Sequence, residues 1–161
     1  MSEENKIPVA TDPAVLEERE KNQKIVEAYL AVKGSAAMEE RLALVADDVM
    51  YEIVNTMECY PERVCGSTNL RRRFEINAKC WGEFEYNNIK IFPAQDPGIF
   101  LVECDADGTM TNPMFTVPRP YHNYYFIMFC IREGKIWKLR QFSNPMKLIH
   151  DFWCQQPDMC K

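Results

Sequence analysis

The sequence predicts an α+β domain, a cone-shaped fold in which about three N-terminal helices pack on a curved, mainly antiparallel sheet and enclose a pocket. Helix-period patterns with caps fill the first half of the chain, and long β-patterned runs divided by tight turns fill the second. That is the order expected of segregated helices and strands. A chain of 161 residues, 47% of them hydrophobic, is long enough for one domain with a sizeable core and short for two. Polar side chains also occur where periodicity requires core: Arg73 and Asn77 on a helix, Gln141 on the last strand. Such groups are costly to bury unless a partner or a ligand satisfies them, so their convergence points to a pocket.

Asp12 is placed to cap a first helix that has Pro13 at its first position and that Gly34 closes after AYLAVK. Its apolar face is Val15, Leu16, Ile25, Val26, Tyr29 and Leu30, with the charged run EEREKNQK turned to solvent. Ser35 caps a short second helix in which Leu42, Leu44 and Val45 are apolar and which Asp47 and Asp48 end. VMYEIVNTME then reads as a strand, and Cys59 to Cys65 as a turn around Pro61. A third helix starts at Ser67 or Thr68 and runs to about Trp81. The remaining strands are FEYNNIKIF, GIFLVECDADGTM, YHNYYFIMFCIRE and KIWKLRQFSN, separated by QDPG, the proline-containing loop NPMFTVPRP, and REGK. From Tyr124 to Ile131 successive positions are apolar, so both faces of that strand require cover, helices on one side and a second subunit on the other. A homodimer is the expected assembly. Residues 1–12 read as a flexible tail, 13–153 as the single domain and 154–161 as a C-terminal tail.

The net charge of -5 and a pI near 5.2 argue against a nucleic-acid partner, and the one basic run, Arg71-Arg72-Arg73, falls inside an amphipathic helix. No apolar stretch approaches the roughly 20 residues of a membrane span, and the polar start MSEENKIPVATD is unlike a signal peptide. The expected location is the cytoplasm, with no membrane contact. Seven cysteines occur without a CxxC pair or a histidine at ligand spacing, which excludes an obvious metal site. Cys80, Cys104 and Cys130 lie in apolar elements and read as buried free thiols, whereas Cys59, Cys65, Cys154 and Cys160 read as exposed. No phosphate loop, dinucleotide fingerprint or nucleophile elbow is present, so cofactor-free chemistry or simple binding remains.

At about 100° per residue, Leu70, Phe74, Asn77 and Trp81 share a narrow stripe of the third helix, with Arg73 at its edge. On the last strand Trp137, Leu139, Gln141 and Ser143 point one way and Lys138, Arg140 and Phe142 the other. His122 and Tyr124 lie opposite Asn123 and Tyr125, so only one of these pairs enters the pocket. Tyr29 and Tyr51 are either hydroxyl donors into the cavity or plain core.

The segments NNIKIF, DPGIFLVECDADG, GKI and RQFSNP resemble the phenazine biosynthesis A/B family of the SnoaL-like, ketosteroid-isomerase-like superfamily, whose fold is the cone inferred above. The likeness runs from EREKNQKIVEAYLAVKG to the proline after Asn144. It implies a dimer and a role in joining two molecules of an aminocyclohexenone carboxylic acid through imine formation, with acid/base side chains and an arginine for the carboxylate. By position, Arg41 matches the family's substrate-binding arginine and Tyr121 its pocket tyrosine, while Arg73, Asn77 and Gln141 stand where the family has histidine, serine and the acid/base glutamate. Glutamine exchanges no proton near neutral pH and arginine is a poor general acid or base, so the family's mechanism does not carry over unchanged.

Tyr121, His122 and Gln141 are thus the catalytic candidates, and Arg41, Arg73, Asn77, Ser143 and Trp81 the substrate-binding ones. Two functions of different class follow. One is a cofactor-free condensing enzyme or isomerase for a small cyclic carboxylic acid or ketone, in which Arg73 and Arg41 clamp the carboxylate and Tyr121 or His122 moves protons. The other is a non-catalytic relative that binds a small anionic aromatic ligand or pairs with an active paralogue.

Overall fold

The computed structural model describes residues 12–34, 38–54, 62–111 and 117–149. Helix α1 spans Pro13–Ala31, and the Asp12 carboxylate caps it by accepting from the Ala14 amide at 2.9 Å. It ends short of the expected Gly34, because Val32 is extended and its carbonyl accepts from the Arg41 guanidinium instead of continuing the helix. Gly34 at φ 72° then joins the sheet, its amide donating to the Phe84 carbonyl.

Helix α2 is only Met38–Leu42, and Val45, expected at the end of that helix, opens strand β1, Val45–Val54. Asp47 and Asp48 therefore lie on the strand. Pairing decides this: Val45 sits opposite Ile136, the Leu44 carbonyl accepts from the Ile136 amide, and Val45 is buried. Local propensity yields to a sheet partner. Ser35, the last residues of VMYEIVNTME and the turn around Pro61 lie outside the described residues. Arg63–Cys65, expected as part of that turn, forms a short strand β2 against Met50–Glu52. Helix α3 spans Ser67–Cys80 behind Gly66, whose φ of 84° favours glycine.

Trp81–Pro93 (β3), Ile99–Met110 (β4), Arg119–Arg132 (β5) and Lys135–Ser143 (β6) form the expected antiparallel meander, and Pro145–Ile149 adds a short helix α4 that the sequence reading did not anticipate. The sheet order is β2-β1-β6-β5-β4-β3, with β1 parallel to β6. REGK is a two-residue hairpin turn, with Glu133 at φ 52° and Gly134 at φ 70°, the positive pair that matches strand twist. Helix α1 is tied over the β3–β4 turn by Arg19, which donates to the carbonyls of Ala94 and Gln95, and by Asn22, which donates to that of Pro97.

The interior face of the sheet carries Phe100, Val102, Cys104 and Ala106 of β4, facing Phe129, Ile127, Tyr125 and Asn123 of β5. Leu139 and Gln141 of β6 continue these rows, and Tyr51 and Ile53 of β1 extend them. Trp137 departs from the expected alternation. A register shift at Cys130/Ile131 leaves Ile136 fully buried opposite Ile131, and Trp137 instead packs its ring under the Arg132 guanidinium at 5.4 Å. Among the described cysteines Cys104 and Cys130 are buried and Cys65 is exposed, as expected, whereas Cys80, expected to be buried, is half-buried.

Gly108 lies between its register partners, Phe84 on β3 and Tyr121 on β5. A Cβ there would come within 2.6 Å of the Glu83 carbonyl oxygen. Gly108→Ala is expected to destabilise the fold by about 1–3 kcal/mol through overpacking, read as a lower midpoint in urea unfolding.

Candidate functional site

The candidate site is the polar part of the cone interior, and the central strand supplies most of it. Tyr121, Asn123 and Tyr125 alternate on the inner face of β5 and are 3%, 1% and 7% exposed. Buried away from bulk solvent, these groups satisfy one another. Asn123 Oδ1 accepts from the amides of Tyr124 (2.8 Å) and Asn144 (3.3 Å), while its Nδ2 donates to the Asn144 carbonyl (3.0 Å) and to the Tyr121 hydroxyl (2.9 Å). The Tyr121 and Tyr125 hydroxyls are 2.7 Å apart. Burial pushes the Tyr125 phenol well above its ordinary pKa, and the neighbouring hydroxyls of Tyr121 and Tyr86 add to this. Aromatic edges close the same region: Trp81 meets the Tyr121 ring at 4.7 Å, and Tyr86 meets the Tyr125 ring at 5.9 Å.

Gln141 is buried beside this cluster, on the neighbouring strand opposite Ile127. Its Oε1 accepts from the Tyr51 hydroxyl at 3.1 Å, which leaves the Nε2 amide as a hydrogen-bond donor. Ser143, opposite Tyr125, is half-buried. Leu70 and Arg73 are the buried residues of α3, with Phe74 and Asn77 half-buried. The inward stripe thus runs through Leu70, Arg73 and Asn77, and Arg73, expected at its edge, sits at its centre.

Arg41 adjoins this cluster through Tyr86, with its guanidinium carbon 5.6 Å from the centre of the Tyr29 ring and 5.9 Å from that of Tyr86. One nitrogen is used on the Val32 carbonyl, and Nε is buried without a hydrogen-bond partner among the described residues. Burial raises the phenol pKa of Tyr29 and of Tyr86, and the Arg41 charge partly opposes both shifts. Both hydroxyls stay protonated donors at neutral pH.

The structure thus brings Tyr121 and Trp81 together, sets Gln141 and Ser143 on the same interior face and buries Arg73, but it sends His122 elsewhere. His122 lies on the exposed outer face, its Nδ1 2.7 Å from Asp107 Oδ1, with Asn87 donating to the other oxygen of that carboxylate. Strand alternation opposes it to Tyr121, so it does not enter the cone. Among the described residues the buried carboxylates are Glu52 and Asp105, and these too are on the outer face, opposite Arg140 and Tyr124. Among the same residues, no three His, Cys, Asp or Glu side chains gather as a metal site would require. Asn123, Tyr125 and Tyr86 were not among the site residues chosen from the sequence. The period-two row Tyr121-Asn123-Tyr125 was the signal that pointed to them, but alternation alone did not say which side of β5 is inside.

Comparison with known proteins agrees with this geometry. The family Phenazine biosynthesis protein A/B matches residues 1–160. The phenazine biosynthesis protein PhzA2 of Pseudomonas aeruginosa is 33% identical over 135 residues, which cover 83% of this chain and 82% of that protein. The crystal structure of the phenazine biosynthesis-related protein PhzB2 from Pseudomonas aeruginosa superposes with a TM-score of 0.78 at 29% identity, covering 86% of this chain and 88% of the other. An NTF2-like protein from Burkholderia xenovorans shares the fold at 19% identity with a TM-score of 0.63, covering 82% of this chain and 95% of the other.

The buried tyrosines make alkaline stability a readout of the cone. Tyr29, Tyr86 and Tyr125 hold their protons more tightly folded than unfolded, so their contribution is complete below the unfolded phenol pKa and is lost as pH rises above it. Above about pH 10, the unfolding free energy is expected to fall by about 1.4 kcal/mol per pH unit for each tyrosine still protonated in the folded state. Tyr125→Phe should make that decline shallower in denaturant titrations at pH 9 to 11.

Proposed function

The chain belongs to the phenazine biosynthesis protein A/B family, and from that premise we propose that it holds a small cyclic carboxylic acid or ketone inside the cone. The observation that carries this reading is Arg41, a cation flanked by two tyrosine rings whose buried Nε has no hydrogen-bond partner among the described residues. A carboxylate oxygen supplies that partner and the countercharge together. Gln141 Nε2 is a second donor, suited to a carbonyl oxygen.

The chemistry that such a site supports is positioning. If two amino-ketone acids are held together, the amine nitrogen of one attacks the ketone carbon of the other, a proton passes from nitrogen to oxygen, and loss of water leaves the imine. Gln141 neither gives nor takes that proton, so it moves through the reactants' own amine and carboxylate groups or through water. Orientation alone lowers such a barrier by several kcal/mol. A second reading, a binding protein that performs no turnover or serves an active paralogue, is favoured by the same glutamine. The two part on whether purified protein consumes an amino-ketone acid or only binds it.

The homodimer belongs to the same proposal and is supported by the pattern on the outer face. Arg63, Lys138 and Arg140 surround the buried Glu52 at the β2/β1/β6 end, where three cations meet one carboxylate. Burial pushes the Glu52 carboxyl up, but hydrogen bonds from Arg140 and Arg63 outweigh this and hold it low. At the β4/β3 end lie Glu103, Asp105 and Asp107, and between the two ends Tyr124 and Phe126 are 64% and 42% exposed. Two copies placed face to face about a two-fold axis set the basic end of each against the acidic end of the other. The reading also sets the protein in the reducing cytoplasm, in keeping with its free thiols. No described helix is long and apolar enough to cross a membrane.

Two outcomes are expected. In thermal unfolding, 3-oxocyclohexane-1-carboxylate at a hundred times its dissociation constant should raise the midpoint by roughly 5–10 °C, and Arg41→Ala should remove that rise; an equal rise in the variant would contradict the carboxylate clamp. In sedimentation, the wild type should run as a dimer and Phe126→Glu as a folded monomer, whereas a wild-type monomer at micromolar concentration would sink the assembly.

A further inference from the structure

We propose that Tyr29 and Tyr86 complete the anion site at Arg41, their phenols donating with its guanidinium to one carboxylate, so that the site takes an acid and rejects the uncharged carboxamide of that acid. This rests on the carboxylate reading above and names the residues that make it specific. Tyr29 comes from α1, Arg41 from α2 and Tyr86 from β3, where it pairs with the buried Ala106 on the inner face. Three separate elements thus bring three donors to one place.

Tyr29 is 4% exposed, its ring set edge to face against Phe129 at 5.5 Å. Tyr86 is half-buried and packs in the same manner on Phe84 at 5.3 Å and on Tyr125 at 5.9 Å. Both rings are therefore fixed by aromatic neighbours before any ligand arrives. Among the described residues neither hydroxyl has a hydrogen-bond partner, and Arg41 Nε shares that lack. The Val32 carbonyl is already taken by a different nitrogen of Arg41. Donors left without acceptors inside a protein are costly, and here three of them adjoin.

The groups also act on one another. The Arg41 charge opposes the rise in pKa that burial gives both phenols, and Tyr29 adds to the rise of Tyr86. Burial outweighs the cation, so both phenols keep their protons and remain donors. The Cys104 thiol, which also acts on Tyr86, is pushed up to about 12 by burial and supplies no competing anion at neutral pH.

Donor count decides the ligand chemistry. A carboxylate offers about four lone-pair sites on two oxygens and has no proton to place. Arg41 Nε uses one site, the phenols use two more, and the negative charge meets the cation. A carboxamide has a single oxygen and no charge, and its two N–H donors would face a guanidinium that accepts nothing. The site therefore works against the amide as well as for the acid.

The test is calorimetric titration of the protein with 3-oxocyclohexane-1-carboxylate and with its carboxamide near neutral pH. The wild type should prefer the acid. Tyr29→Phe and Tyr86→Phe should each cut that preference about tenfold, the worth of one hydrogen bond to a charged group. A loss of packing alone would weaken acid and amide together and leave their ratio unchanged. An intact preference in either variant would overturn the proposal while leaving the clamp at Arg41 standing. A wild type that binds the acid no better than the amide would refute the clamp, and the proposal with it. Binding of the acid should also shift tyrosine absorption to the red, as phenols do when they donate to an anion. A difference spectrum that both substitutions leave unchanged would contradict the assignment.

Discussion

Asn123 sits at 1% exposure in the middle of the central strand, where an amide must find every hydrogen-bond partner inside the protein. It finds them at the Tyr124 amide, at the Tyr121 hydroxyl and at Asn144 just beyond β6, so one side chain joins the end of β6 to β5. The residues around it obey the same requirement. Tyr121 accepts from it, Tyr125 pairs with Tyr121, and the rings of Trp81, Phe84 and Tyr86 pack edge to face around them. The polar interior is therefore an ordered lattice of donors rather than a few strays in an apolar core.

Most of the fold was legible in the residues because each element declares itself locally. Asp12 with Pro13, the two positive-φ residues of REGK and the turn QDPG state where α1 starts and where the hairpins reverse. Errors came where a distant partner decides. Val45 and the Arg63–Cys65 segment are strand because Ile136 and Met50–Glu52 lie beside them, and no local pattern announces that. Trp137 was misplaced because the register shift between Cys130 and Ile131 breaks the alternation between Ile136 and Leu139, and the shift is a property of the β5–β6 pairing rather than of β6 alone.

The site was legible in the same uneven way. Periodicity picked out Arg73, Asn77 and Gln141 as polar groups in core positions, and the structure buries Arg73 and Gln141. It was silent on His122 against Asn123, since alternation says that the two are opposed but not which side the helices cover. The structure gives Asn123 and Tyr125 to the interior and His122 to the outer face with Asp107. Family resemblance directed attention to Arg41 and Tyr121, and both stand on the cone's interior. Gln141, which the resemblance sets where the family has a glutamate, offers an amide whose oxygen accepts from Tyr51.

The central claim is that this interior recognises a ligand through fixed donors and cations, with no group that changes its protonation on binding. Titration with 3-oxocyclohexane-1-carboxylate near neutral pH, repeated in buffers of different ionisation enthalpy, counts the protons exchanged when the complex forms. The account requires saturable binding with the same observed heat in every buffer, which means no net proton exchange. Uptake of about one proton would mean that a buried acid or base titrates in the cone, as it would in a family member that keeps its glutamate, and would contradict the account.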